Sequence, residues 1–242
     1  MSIKTLPTNP KEIRDMIRND KVDKSTAGMA PGYVQANLVI VHKDLAFDFL
    51  LFCNRNPKPC PVLEVTEPGS YEPVKMAPGS DLRYDIPKYR VYRYGNLEAE
   101  VTDIAKYWTD DMVAFLTGCS FGFETALIRA GIPLRHIESD TTVPMYITNI
   151  PTNPAGTFSG PMVVSMRPIK KEKIVRSVQV TSRFPAVHGA PVQIGNPDEI
   201  GIKDINKPDL GEPVEVKNDE VPVFWACGVT PQAVAMKSKP DL

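Results

Sequence analysis

The sequence has no excess of charge of either sign and no long hydrophobic run. Its 28 lysine and arginine residues are balanced by 29 aspartate and glutamate residues. Without a basic field, we expect no nucleic-acid partner. No stretch approaches the ~20 apolar residues that a membrane span needs, and residues 1–7 lack the apolar core of a signal peptide. We therefore expect a cytoplasmic protein with no membrane partner.

The common cofactor and nucleotide signatures are also missing. The chain contains no G-x-x-x-x-G-K-[ST], no G-x-G-x-x-G and no H-E-x-x-H. Its four cysteines form no C-x-x-C, so we expect free thiols. Only three histidines are present, and His136, Glu138 and Asp140 alternate as metal ligands could, although alternating polar residues in a loop are usually solvated. We expect no cofactor and no metal site, with a divalent metal left open.

What the chain has in abundance is proline. Its 24 prolines exclude long helices and favour many short elements. Residues 145–149 and 162–167 are predicted as strands, with a helix beginning near Lys171. The pattern then returns to a strand at 221–227 and a helix opening at Thr230. We predict a mixed α/β protein with an α/β core domain, residues 1–136 plus 191–242, and an inserted α+β subdomain, residues 137–190.

The chain is organised around residues 112–131. Residues 112–116 and 125–131 are predicted as two helices joined by a turn rich in glycine and small polar residues. Such a turn would direct free backbone N–H groups, at the positive end of a helix dipole, toward a carboxylate. Two alternatives stay open: a plain helix–helix corner with Ser120 as N-cap, and a nucleophile elbow, which requires a strand before the turn. The substrate-binding candidates here are Gly118, Ser120 and Gly122.

A second predicted anion site follows the strand at 221–227. There Cys227, Gly228 and Thr230 precede a helix, and we predict that both turns face one cleft. His188 lies in a loop framed by glycine and proline, and its side chain suits acid–base chemistry near neutral pH. The alternative is a histidine that only holds its loop in place.

Charged and polar residues beside rigid loops complete the candidate site. Arg83 and Arg183 are candidates for two-pronged capture of a carboxylate, since guanidinium suits that geometry. The alternative for Arg83 is a local pair with a neighbouring aspartate. Asn54 precedes a proline-rich loop, where it would line the cleft or cap a helix.

Six stretches, in order along nearly the whole chain, resemble the D-glutamate cyclase family, whose members are described as hydro-lyases. They are APGYVQAN (30–37), FCNRNPKPCP (52–61), DLRYDIP (81–87), GCSFGFE (118–124), HGAPV (188–192) and VFWACGVTPQ (223–232). The resemblance implies loss of water from D-glutamate to give 5-oxo-D-proline, or a related reaction of a small amino or dicarboxylic acid. The implied partner is therefore a small-molecule carboxylate substrate, and a homo-oligomer stays open.

That reaction needs a carboxylate clamp, a proton-transfer group and donors for an oxyanion. We assign the clamp to one of the two arginines, proton transfer to His188 or Glu124, and the donors to the two turns. Two alternatives remain. One is a binding module without turnover, because the family pattern continues past residue 240 into a histidine-containing tail while this chain ends at Leu242. The other is a hydrolase with Cys119 or Ser120 as nucleophile.

Overall fold

The computed structural model describes residues 7–239 and 241. Its helices are α1 Pro10–Arg18, α2 Lys43–Arg55, α3 Phe121–Arg129, α4 Arg135–Glu138, α5 Ile174–Thr181 and α6 Thr230–Ser238. Its strands are β1 Ala36–His42, β2 Val62–Val65, β3 Tyr89–Arg93, β4 Asn96–Val101, β5 Met112–Gly118, β6 Met145–Pro151, β7 Pro161–Lys170, β8 Gln193–Ile194 and β9 Glu220–Ala226. The predicted mixed α/β class is confirmed.

The strands form three antiparallel sheets. The first has the order β1-β5-β2, the second is the β3-β4 hairpin, and the third has the order β6-β7-β9-β8. In the first sheet, Ala36 lies opposite Gly118 and His42 opposite Met112. Of the helices described, the longest has 13 residues, and none combines the length and apolarity required to cross a bilayer.

The prediction of a helix at residues 112–116 is wrong, because these residues belong to strand β5. All seven β5 residues are buried, and β5 pairs with strands on both sides. A strand covered on both faces is apolar throughout, so its periodicity does not distinguish it from a short buried helix. Residues 118–120 therefore form a strand-to-helix corner, rather than the predicted turn between two helices.

The other elements named above lie close to their predicted positions. The helix predicted near Lys171 is α5, which follows a 3-10 turn at Lys171–Lys173, and the strand predicted at 221–227 is β9. Strands β6 and β7 share one sheet with β8 and β9, so this sheet contains strands from both sides of the proposed domain boundary. The division into a core domain and an inserted subdomain stays a prediction.

Helix α3 packs on one face of the four-stranded sheet. Phe123 and Leu127 of α3 belong to one buried cluster with Ile169 of β7 and with Val223 and Trp225 of β9. Burying each of these large side chains contributes about 1.5–3 kcal/mol. Because side chains alternate along a strand, the residues two and four before Ile169 also face α3. This packing places polar residues of β7 directly against the first turn of α3.

Candidate active site

Two strand-to-helix corners lie close together in the fold. One joins β5 to α3 at residues 118–120, and the other joins β9 to α6 at residues 227–229. A Cβ atom added to Gly228 would lie 3.2 Å from the Gly118 carbonyl oxygen and 1.9 Å from Asn37 Nδ2. One added to Gly118 would lie 1.9 Å from the Ala186 carbonyl oxygen. Both corners therefore need glycine, which lets backbone segments approach this closely.

A buried ion pair lies beneath the first corner. Arg167, from β7, donates from Nε to Glu124 Oε1 at 3.1 Å and from a terminal nitrogen to the same oxygen. Its guanidinium also donates to the hydroxyls of Ser165 and Ser120, each at 3.0 Å. His136 Nε2 lies 2.9 Å from Glu124 Oε1. Arg167 and Glu124 are each only 1% exposed, so this charge pair is preorganised and shielded from water.

Glu124 is ionised but only half satisfied. Burial alone would raise the pKa of its carboxyl, yet the charge of Arg167 and the hydrogen bond to His136 outweigh burial, and the pKa is lowered. All three hydrogen-bonding contacts described above go to Oε1, while Oε2 is buried with no partner among the described residues. Buried polar atoms are normally paired. Oε2 therefore keeps unused capacity to accept a hydrogen bond.

His188 is held in a strained conformation with one free ring nitrogen. Its backbone is left-handed, with φ of 83°, a state that non-glycine residues seldom adopt and that clusters at functional sites. Its Nδ1–H donates to the Lys58 carbonyl at 2.8 Å, which leaves Nε2 unprotonated, and Nε2 has no partner in the described part of the chain. Burial lowers the pKa of the imidazole to about 4. At neutral pH this ring is an uncharged proton acceptor.

The corner at residues 118–120 tests the alternative of a hydrolase with Cys119 or Ser120 as nucleophile. Because β5 is a strand, Gly118-x-Ser120-x-Gly122 does follow a strand, as a nucleophile elbow requires. Ser120, however, has an unstrained helical backbone, with φ −58° and ψ −21°, and its hydroxyl is engaged by Arg167 rather than by a histidine. Burial raises the pKa of the Cys119 thiol to about 12, so it is not a thiolate. Neither side chain has the environment of an activated nucleophile.

Two cavities adjoin these corners on either side of the loop formed by residues 28–35. The larger, of about 660 Å³, runs along β1 and reaches Asn37 and Gly228. The smaller, of about 230 Å³, lies between the loop and α3 and is lined by Glu124. Met29, Ala30, Tyr33 and Gln35 of the loop line both cavities. Asn37 Nδ2 is a buried donor with no partner among the described residues, so a further unsatisfied group belongs to a residue that lines the larger cavity.

The predicted residues divide into two groups. The structure brings together Gly118, Cys119, Ser120, Gly122, Glu124, His188, Cys227, Gly228 and Thr230. Within this group Thr230 is structural, because its hydroxyl accepts from Val163 N–H at 3.1 Å and donates to the Cys227 carbonyl at 2.7 Å. Gly122 packs against Val187, beside His188, where an added Cβ would lie 3.0 Å from Val187 Cγ1.

Three predicted residues lie elsewhere. Arg83 pairs with Asp81 through two hydrogen bonds, at 2.9 and 2.7 Å. Arg183 and Asn54 are exposed. None of the three lines either cavity, and of the first group only Glu124 and Gly228 do. The structure therefore places no predicted carboxylate clamp at the corners.

Several site residues were not singled out from the sequence. Arg167 carried a usable signal, since a lone arginine within an apolar strand is rarely buried without a partner. Asn37 and Ser165 carried none, because short polar residues are common in strands. Lys58 is half-buried, and burial lowers the pKa of its ammonium group. Its side chain forms no ion pair within residues 7–239 and 241. Over the same residues, no cluster of three or more metal-ligand side chains occurs.

Comparison with known proteins identifies relatives along nearly the whole chain. The family model described as D-glutamate cyclase matches residues 113–242. "Putative hydro-lyase GK2103" of Geobacillus kaustophilus (strain HTA426) is 66% identical over 98% of this chain and 90% of its own length. "Putative hydro-lyase YcsI" of Bacillus subtilis (strain 168) is 62% identical over 96% and 91%.

A solved structure also shows a weak likeness. The nitrogen repressor-like protein MJ0159 from Methanococcus jannaschii gives a TM-score of 0.39 and 11% identity, covering 95% of this chain and 88% of that chain. At that TM-score the likeness carries no argument about fold or function.

Proposed function

The chain belongs to the D-glutamate cyclase family, and from that premise we propose that it closes D-glutamate to 5-oxo-D-proline with loss of water, or dehydrates a closely related amino acid. The predicted family and the lyase class are confirmed by the relatives, which are named hydro-lyases. The substrate and the roles of individual residues are our proposal.

The observation that carries the proposal is the pair of unsatisfied buried atoms near the first corner, Glu124 Oε2 and His188 Nε2. In the proposed reaction the amine nitrogen bonds to the γ-carboxyl carbon and a carbon–oxygen bond breaks, releasing water. The nitrogen must lose two protons, one from the ammonium group before attack and one from the tetrahedral intermediate, and the departing carboxylate oxygen must gain both to leave as water. A fixed acceptor that carries the protons one at a time meets both needs.

We assign that proton transfer to His188. Its neutral Nε2 takes a proton from the substrate ammonium and gives it to the departing oxygen, and it then carries the second proton from the attacking nitrogen to the same oxygen. A pKa of about 4 makes the free imidazole a weak base. The positive charges of Arg167 and Lys58 contribute to that low pKa after burial. A bound substrate carboxylate would offset them, so binding itself raises the basicity of the ring.

Two further groups would hold the substrate and the intermediate. Lys58 is half-buried and forms no ion pair among the described residues, and its charge acts on His188, so we assign it to a substrate carboxylate. Asn37 Nδ2 is an unsatisfied donor beside Gly228 and is suited to the oxyanion that forms when the amine attacks. Donors fixed in a buried site stabilise such an oxyanion because they need no reorganisation.

The test is to incubate the protein with D-glutamate or L-glutamate and to measure 5-oxoproline by mass spectrometry, with an enzyme-free sample for spontaneous closure. We expect product from one enantiomer. His188→Ala should lower turnover by about 10²–10⁴-fold if the ring transfers protons. His42→Ala, at a partly exposed histidine, is the matched control.

The second candidate is a binding module for small carboxylic acids without turnover. The low basicity of free His188 favours it, since a ring with a pKa of about 4 is poorly matched to proton transfer near pH 7. Binding of D-glutamate without product from any amino diacid would select this candidate over the lyase.

A further inference from the structure

The smaller cavity has the size and the chemistry to hold one small polar ligand. Its volume is about 230 Å³, and α3 forms one wall while the loop of residues 28–35 forms the other. Glu124 lines this cavity and is 1% exposed. Ionised side chains are rarely buried to this extent unless they are fully paired.

The unpaired oxygen of Glu124 defines the ligand group that the cavity would accept. Oε1 receives Arg167 and His136, whereas Oε2 has no partner in the described part of the chain. An ionised carboxylate only accepts hydrogen bonds. A charged donor forms a shorter and stronger hydrogen bond to it than a neutral donor does. A primary ammonium group is therefore the best-matched occupant.

Helix α3, which carries the negative charge of Glu124, also carries a positive charge at this cavity. Arg129 also lines the smaller cavity, is exposed, and forms no ion pair among residues 7–239 and 241. The lining thus offers a buried carboxylate for an ammonium group and an accessible guanidinium for a carboxylate. Glu124 is the one acidic residue of this lining. These two charges are complementary to the zwitterionic form of an amino acid.

We propose that the smaller cavity is an amino-acid site in which Glu124 binds the ammonium group and Arg129 binds a carboxylate. The inference rests on the proposed function and deepens it, since it assigns the amino group and one carboxylate of the substrate to residues that line this cavity. It also sets specificity: a ligand with a free amino group is preferred over the dicarboxylate of the same length that lacks it.

Calorimetric titration with D-glutamate, L-glutamate and glutarate tests the proposal without requiring turnover. The wild-type chain should bind one glutamate enantiomer at least about tenfold more tightly than glutarate, the scale of one charge-assisted hydrogen bond. Glu124→Gln should abolish this preference. Arg129→Gln should weaken glutamate and glutarate binding alike and keep the ratio. Glu138→Gln and Arg176→Gln, at exposed positions, are the matched controls.

Glu124 also pairs with Arg167, so folding of each variant is checked by circular dichroism and thermal melting. If Glu124→Gln is unfolded, Thr125→Phe fills the cavity from its lining without altering the ion pair, and it should remove glutamate binding while Thr125→Ser keeps it. The proposal is overturned if wild type binds glutamate no better than glutarate, if folded Glu124→Gln keeps the preference, or if Thr125→Phe binds normally. A preference without 5-oxoproline would refute the lyase alone. Turnover with an unchanged preference in Glu124→Gln would refute this site alone.

Discussion

Two arginine–carboxylate pairs in this molecule have the same chemistry and different origins. Arg83 binds Asp81, two residues away, and its side chain is 27% exposed. Arg167 binds Glu124, which is 43 residues away on another element, and both side chains are almost completely buried. The local pair forms from one turn of chain, whereas the distant pair exists only once α3 has packed on β7. The same bond is therefore a surface contact in one region and a product of the whole fold in the other.

The largest difference between the two pairs should appear when one partner is removed. Arg167→Met leaves the Glu124 carboxylate buried and unpaired, which should lower the free energy of unfolding by about 3–5 kcal/mol. Arg83→Met should lower it by less than about 1 kcal/mol, because exposed pairs contribute little. Urea denaturation of the two variants gives the comparison directly.

The double variant Glu124→Leu with Arg167→Met removes both buried charges, and it should recover much of the stability that Arg167→Met loses. If Arg167→Met and Arg83→Met lose the same free energy of unfolding, burial does not make the Arg167 pair more important for stability than the Arg83 pair.

A second difference should appear in the dependence of stability on pH. The pKa of His188 is about 4 in the folded protein, against about 6.5 in an unfolded chain. Between these values the unfolded state binds a proton that the folded state does not, so stability is full above pH 6.5 and is lost as the pH falls. The loss should reach about 3 kcal/mol near pH 4.

His188→Gln should remove this slope, as followed by urea denaturation at a series of pH values. Arg83→Met should keep it, because the surface pair lies apart from His188. A wild-type protein whose stability is flat between pH 6.5 and 4 would show that the ring is not shielded as the structure indicates.

The backbones around the two pairs should also differ in their tolerance of a methyl group. A Cβ added at Gly118 meets the Ala186 carbonyl at 1.9 Å, while one added at Gly79, near Arg83, meets nothing within 4 Å. Gly118→Ala should therefore cost about 1–3 kcal/mol through overpacking. Gly79→Ala, where φ is +74°, should cost about 1 kcal/mol for its left-handed backbone.

Thermal melting of Gly118→Ala and Gly79→Ala ranks the two costs. The reverse ranking would mean that the corner at Gly118 relaxes more easily than its packing suggests.

Sequence patterns predicted what depends on neighbours along the chain. The strands at β6, β7 and β9 and the helices that begin near Lys171 and at Thr230 follow from local alternation and capping, and they lie close to their predicted places. Strand β5 was mistaken for a helix because a fully buried apolar run has no distinguishing period. The Glu124–Arg167 pair depends on how α3 packs on β7, and no local spacing encodes that contact.

The same limit applies to the carboxylate clamp that the sequence predicts at Arg83. A rigid, proline-framed arginine between aspartates fits either a ligand clamp or a local pair, and only tertiary contacts separate the two. In the structure two of its nitrogens donate to Asp81, and the centroid of the Tyr71 ring lies 3.7 Å from the guanidinium carbon. The residues that face the corners come instead from β7 and from the loop around Lys58.

The smallest expected effect is therefore that of Arg83→Lys. Lysine keeps the charge but loses the two-pronged contact with Asp81 and the stacking on Tyr71. Because this contact is partly exposed, the loss of stability should stay below about 1 kcal/mol. Arg83 lines neither cavity, so kcat and KM for the amino-acid substrate should both be unchanged. Steady-state kinetics measures the effect of Arg83→Lys on catalysis, and urea denaturation measures its effect on stability. A raised KM with normal kcat and normal stability would return Arg83 to the role of a carboxylate-binding residue, and it would then have the function that we assign to Lys58 and Arg129.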